Sequence, residues 1–150
     1  MTHLRPTFLS LLLCSFLAAC GGSDSPTAPN GDTGGDTRTI KANPAFAADI
    51  VEIFTRRGCT SSSCHGGGKG GLTLTSNAST SHANLVGVRS PTSGEVRVIP
   101  NDAANSYLVK KLEGTQGSGN GSRMPLTGSV LDNIDLTNTK NWINTGAANN

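Results

Sequence analysis

Cys59-Thr60-Ser61-Ser62-Ser63-Cys64-His65 is the stretch on which the reading of this chain turns. It places two thiols near one another along the backbone and sets an imidazole directly after the second. Whatever fixes the sulfur of Cys64 therefore has the His65 ring beside it. The residues between the cysteines are small and polar, so that connection can bulge outward. Upstream, Asn43-Pro44 reads as an N-cap followed by proline at the first helical position, and Phe46, Ile50, Ile53 and Phe54 fall on one face at helical spacing. Gly58 closes the predicted helix, with Arg56 and Arg57 in its last turn where cations suit the dipole. Its apolar stripe is core packing, and the helix delivers the chain directly into Cys59.

Downstream, Gly66-Gly67-Gly68-Lys69-Gly70-Gly71 is too glycine-rich for a helix, and an irregular region is expected through Leu72, Leu74, Leu85, Val86 and Val88. Val96, Val98 and Ile99 read as a short extended segment that ends at Pro100. A second helix is expected over residues 102–112, carrying Tyr107, Leu108 and Leu112, with Gly114 at its stop. Residues 115–122 are nearly all Gly, Ser, Asn and Gln and read as a loop. A last helix is expected over residues 132–144, carrying Leu136, Trp142 and Ile143 and ended by Gly146. There is no internal repeat. The expected class is mainly α, with about three helices and long glycine-rich loops. From Lys41 onward only about one residue in four is a large apolar one, a thin core for a domain of this size. Something other than side chains is expected to fill it.

The 150 residues carry a formal charge of +2, with Lys and Arg scattered, so a phosphate-tracking surface and a nucleic-acid partner are not expected. Arg5, the apolar run over residues 8–19 and the small residues after it have the three-part layout of a secretory signal. The run is shorter than the roughly 20 residues that a permanent membrane helix needs. Leu17-Ala18-Ala19-Cys20 resembles the bacterial lipobox, which makes residues 1–19 the signal peptide and Cys20 the lipidated mature N-terminus. Residues 20–40 read as a flexible linker, because they are too polar to offset their ordering entropy. The folded domain is expected over residues 41–150, in an exported compartment on the periplasmic side or at the cell surface, membrane-anchored by lipid at Cys20. Cys14 leaves with the leader and Cys20 takes the lipid, so the domain keeps Cys59 and Cys64, His65 and His82, and one methionine, Met124.

That inventory contains the ligands of one haem c. In the usual attachment signature, two cysteines separated by two residues and followed by histidine, the thiols add to the haem vinyl groups and the histidine becomes an axial ligand. Here four residues separate the cysteines. Further elements recur in order: Cys64-His65-Gly66, Gly70-Gly71-Leu72-Thr73-Leu74, Ile99-Pro100-Asn101-Asp102, Met124-Pro125 and Trp142-Ile143-Asn144-Thr145-Gly146-Ala147. With these, residues 54–147 resemble the small monohaem cytochrome c domains of the Planctomycete-type group. Two departures are the widened cysteine spacing and Asn101, where that group usually has glycine.

The resemblance implies a small cytochrome c-like fold around one covalently attached haem, with thioethers at Cys59 and Cys64, His65 as proximal ligand and Met124 as distal ligand. It also implies that the Pro100 carbonyl accepts the far ring N–H of His65. Met124 suits the role on physical grounds: its neutral, soft thioether favours ferrous iron, and the loop Arg123-Met124-Pro125 is constrained by proline. His82 is the rival distal ligand and reads as an exposed loop histidine. Tyr107 and Trp142 read as packing between the first and last helices, with lining of the haem or its propionates as the alternative. The expected function is electron transfer as an exported, lipid-anchored c-type cytochrome, not an enzyme. Its expected partners are redox proteins of a respiratory or oxidative chain and the membrane, through the N-terminal lipid, with no small-molecule substrate. Two other readings stay open. One is an exported binding or structural lipoprotein with a Cys59–Cys64 disulfide. The other is a non-haem metal site on Cys59, Cys64 and His65 with His82, although the two well-spaced ligand pairs usual for zinc are absent.

Overall fold

The structure, a computed structural model, describes residues 38–150. The expected signal segment, Cys20 and most of the expected linker lie outside the described residues. The fold is mainly helical, and among the described residues no strand forms. A π-helical turn, Phe46–Ile50, runs without a break into α1, Val51–Arg56; α2 is Ala78–Leu85, α3 Tyr107–Glu113 and α4 Asn133–Asn144. No helix among them is long and apolar enough to cross a membrane.

The stripe read from the first helix forms the centre of the core. Phe46 and Ile50 are fully buried and Ile53 and Phe54 nearly so, packed with Leu85, Val98, Val109 and Ile143. Trp142 from α4 lies against Phe46 with ring centroids 4.7 Å apart, a pairing that joins the first and last helices. The N-cap differs from expectation. Asn43 does not cap; the Asp49 carboxylate accepts the Ala45 N–H at 2.8 Å, and Asn150 supplies two further acceptors. Its Oδ1 takes the Phe46 N–H and its carbonyl the Ala47 N–H, each at 2.9 Å, so residues far apart in sequence satisfy the free donors of the first turn.

The end of α1 follows the sequence closely. Gly58 adopts φ +71°, the left-handed conformation that side chains resist, and the amides of Gly58 and Cys59 bond back to the carbonyls of Thr55 (3.0 Å) and Phe54 (2.8 Å). This Schellman closure turns the chain sharply and sets Cys59 immediately beyond the core. Arg56 and Arg57 do more than suit a dipole: they reach the start of α4. There Asp132 is the N-cap, its Oδ1 accepting the Asp135 N–H at 3.0 Å, and the buried Asp135 carboxylate receives Arg38 (2.9 Å), Arg56 (2.7 Å) and Arg57 (2.9 Å).

Three elements depart from expectation. The region read as irregular contains α2, capped by Asn77, whose Oδ1 accepts the Thr80 N–H at 2.9 Å. The second helix begins at Tyr107 rather than 102, because Ser106 is held in a turn: its hydroxyl donates to the Asp102 carbonyl (2.7 Å) and accepts the Ile99 N–H (2.8 Å). The glycine run folds into two short 3-10 turns, His65–Gly67 and Lys69–Gly71. The extended segment near Val96 makes only isolated bridges, Val86 with Val98 and Arg89 with Val96.

Candidate functional site

Between α1, α3 and the loops that follow Cys59 and Gly114 lies an open-mouthed cleft with an interior of about 240 Å³. Its walls are predominantly apolar, formed by Ile53, Phe54, Leu72, Leu74, Leu108 and Leu112 among others. Into this cleft the fold brings Cys59, His65 and Met124, three of the residues singled out from sequence.

The loop that carries the first two is wound tightly on itself. The His65 N–H bonds to the Cys59 carbonyl at 3.1 Å, and the amides of Cys64 and Gly66 both bond to the Ser61 carbonyl, at 3.0 and 2.9 Å. Ser61, Ser62 and Ser63 are exposed, so the widened connection between the cysteines bulges outward. Behind it the backbone packs without clearance: a Cβ on Gly66 would lie 2.1 Å from the Thr60 carbonyl oxygen, and one on Gly67 2.1 Å from that of Ser62. The glycines after His65 are therefore needed for close approach of two backbone segments.

His65 is half-buried, and its Nδ1 lies 2.8 Å from the Lys69 carbonyl oxygen. A carbonyl only accepts, so Nδ1 carries the proton and Nε2 keeps the lone pair. The orienting acceptor is thus Lys69, four residues along the same turn, and not Pro100. Cys59 is half-buried; burial pushes its thiol pKa up and the neighbouring Cys64 adds to this, against a backbone N–H and Arg57, which pull it down. Cys64 is half-buried at the start of the 3-10 turn with its Sγ 3.9 Å from the Ser63 hydroxyl; its side chain does not line the cleft, and both thiols are free.

Met124 is half-buried against the core, its backbone N–H bonded to the Lys111 carbonyl at 2.8 Å, which ties the 115–125 loop to α3. His82 is placed elsewhere. It sits on α2, not in a loop, and it is half-buried, not exposed, with its ring edge-on to Phe46 at 5.2 Å and to Trp142 at 6.2 Å. Its Nε2 is 2.8 Å from the Ala147 carbonyl. That nitrogen is committed to the C-terminal segment, and His82 does not line the cleft. Trp142 packs as expected, whereas Tyr107 lines the cleft and donates its hydroxyl to the Asn120 carbonyl at 3.3 Å.

Two cleft residues went unread in the sequence, Arg97 and Lys111. For Arg97 a signal was present: a lone cation between Val96 and Val98, in a segment whose neighbours turn inward. Among the described residues no group of three or more His, Cys, Asp or Glu side chains converges, so the pattern of a multi-ligand non-haem metal site is not assembled there. No protein-family model, curated protein or solved structure matches this chain.

Proposed function

We propose that this protein is an exported, lipid-anchored monohaem cytochrome of the c type that transfers electrons, with haem attached through Cys59 and Cys64 and with His65 and Met124 as its axial ligands. The observation that carries the reading is the convergence of Cys59, His65 and Met124 on one apolar cleft, with the His65 tautomer fixed by the Lys69 carbonyl. The residues that line the cleft fit the group, and Cys64, whose side chain stands outside it, would have to turn inward to form the second thioether. A large apolar disc suits leucine and phenylalanine walls, and a neutral imidazole with a free Nε2 and a thioether are the donors that a low-spin haem takes. Bound there, the haem would supply an iron centre that cycles between ferric and ferrous states.

The chain's own residues divide the remaining work. The Lys69 carbonyl orients the His65 ring and strengthens it as a donor, and the Met124 thioether favours the ferrous state and raises the potential relative to a second histidine. Ile53, Phe54, Leu74 and Leu108 line the cleft and would exclude water from a bound haem. Redox proteins of a respiratory or oxidative chain are the partners that such a carrier serves.

The test is a haem stain on a denaturing gel after expression of the full chain with the c-type maturation machinery. A stained band that disappears in the Cys59→Ser, Cys64→Ser double variant is the expected result, and a colourless wild-type band refutes the proposal. In stained protein, the weak red-edge absorption band of methionine-ligated ferric haem should vanish in Met124→Ala and survive in His82→Ala. Absence of that band from stained wild-type protein would instead point to His82 as the ligand.

A further inference from the structure

Arg97 is 6% exposed, yet no carboxylate among the described residues pairs with it. Its guanidinium donates to two neutral acceptors, the carbonyls of Asn84 at 2.8 Å and Gly71 at 2.7 Å. Those bonds hold the side chain in place and leave its charge uncompensated, with donors of the guanidinium fork still free. Burial accordingly pulls the Arg97 pKa down. Lys111, half-buried, faces the same cleft and likewise has no carboxylate partner among the described residues. Its ammonium donates to the carbonyls of Asn120 and Ser122, and burial pulls its pKa down as well.

Elsewhere among the described residues the cations without a carboxylate, Lys69, Arg89 and Arg123, are exposed, and the less exposed ones are paired. Arg38, Arg56 and Arg57 are all neutralised by Asp132 and Asp135, and Lys110 and Lys140 pair with Glu95 and Glu113. The charged or titratable side chains that line the cleft are Cys59, His65, Arg97, Tyr107 and Lys111, and none is a carboxylic acid. An apolar cleft with two cations and no anion of its own is half of an ion pair. In such surroundings an arriving carboxylate gains far more than it would at the surface.

We propose that Arg97, assisted by Lys111, binds a carboxylate carried by the apolar molecule that fills the cleft. On the electron-carrier reading, on which the identity of that molecule rests, the carboxylate is a porphyrin propionate. The other source of the same chemistry is a free apolar carboxylic acid.

The haem stain decides which source applies, and a second measurement then decides the proposal. If the matured full chain stains, resonance Raman spectra of wild type, Arg97→Gln, Arg97→Lys and Lys111→Gln are compared at the propionate bending band, which reports hydrogen bonding to the carboxylates. A displaced band in R97Q, a smaller displacement in K111Q and a nearly native band in R97K are expected. Native bands in R97Q and K111Q overturn the proposal, and if R97Q does not fold, a native band in K111Q overturns it. If the chain does not stain, the electron-carrier reading has failed, and equilibrium dialysis with octanoate and octanol tests the anion site by itself. Octanoate binding about tenfold tighter than octanol, with the preference lost in R97Q, supports it. Equal binding, or no binding, overturns it.

Discussion

Gly66 is the residue at which the loop around Cys59 and His65 is most sensitive to substitution. A methyl group there would meet the Thr60 carbonyl oxygen at 2.1 Å, and backbone cannot swing aside as a side chain can. Gly66→Ala should therefore cost about 1–3 kcal/mol, the usual range for forced overpacking. Because the clash falls between Cys59 and His65, it should also reduce the yield of haem-stained protein. Urea denaturation and the stain measure the two effects separately. Asp135 is the opposite case, a residue whose removal takes contacts away. Its carboxylate is 2% exposed and serves three guanidinium groups, while those arginine side chains keep 19–28% exposure. Asp135→Asn should cost about 2 kcal/mol, less than the ~3–5 kcal/mol of a fully buried pair because the stranded cations can still reach water. An unchanged urea midpoint would show that the network contributes little.

The junction of α1 and α4 makes stability depend on pH. Burial works against ionisation of Asp132, but the Asp135 amide and the Arg38 guanidinium, with the charge of Arg57, outweigh it and hold the carboxyl below its usual range. A carboxyl depressed in the folded state stabilises the fold above its unfolded pKa of about 3.9, and that contribution is lost as pH falls through the lower folded value. Urea midpoints should accordingly decline below about pH 4, and Asp132→Ala should flatten that decline while costing about 1 kcal/mol at neutral pH through the lost cap. What the sequence revealed of the elements follows from how each is stabilised. Residues 133–144 were legible because Asp132, Leu136, Trp142 and Ile143 combine a cap with helical spacing. Residues 78–85 were not, because α2 buries only Ser81 and Leu85 and rests on one asparagine cap, and so it shows no apolar period. The start of α3 was misplaced because the Ser106 hydroxyl is engaged by the preceding turn, a contact that sequence spacing does not display. In the site, Cys59, His65 and Met124 were legible because few side chains supply sulfur or imidazole. Arg97 carried a signal in its place between Val96 and Val98, but the missing anionic partner, for it and for Lys111, is visible only in three dimensions.

At the scale of the molecule, the cleft opens against one side of a single core. Leu74, Leu108, Leu112 and Leu131 belong to the buried cluster and also line the open space, so an occupant of the cleft extends that cluster. Haem-free protein, prepared as the Cys59→Ser, Cys64→Ser double variant, should unfold at a temperature lower than the haem-loaded form by more than about 4–8 °C, the shift that 1 kcal/mol produces in a domain of this size. Equal melting temperatures would mean that the apolar walls close on their own. A last consequence follows from the way the chain enters the domain. Arg38 grips both aspartates at the head of α4, and Asn138 on the same helix takes the Lys41 amide (2.8 Å) and donates to the Thr39 carbonyl (2.9 Å). Tension applied through the chain ahead of Arg38 would thus be handed first to α4, before any strain reached the residues around the cleft.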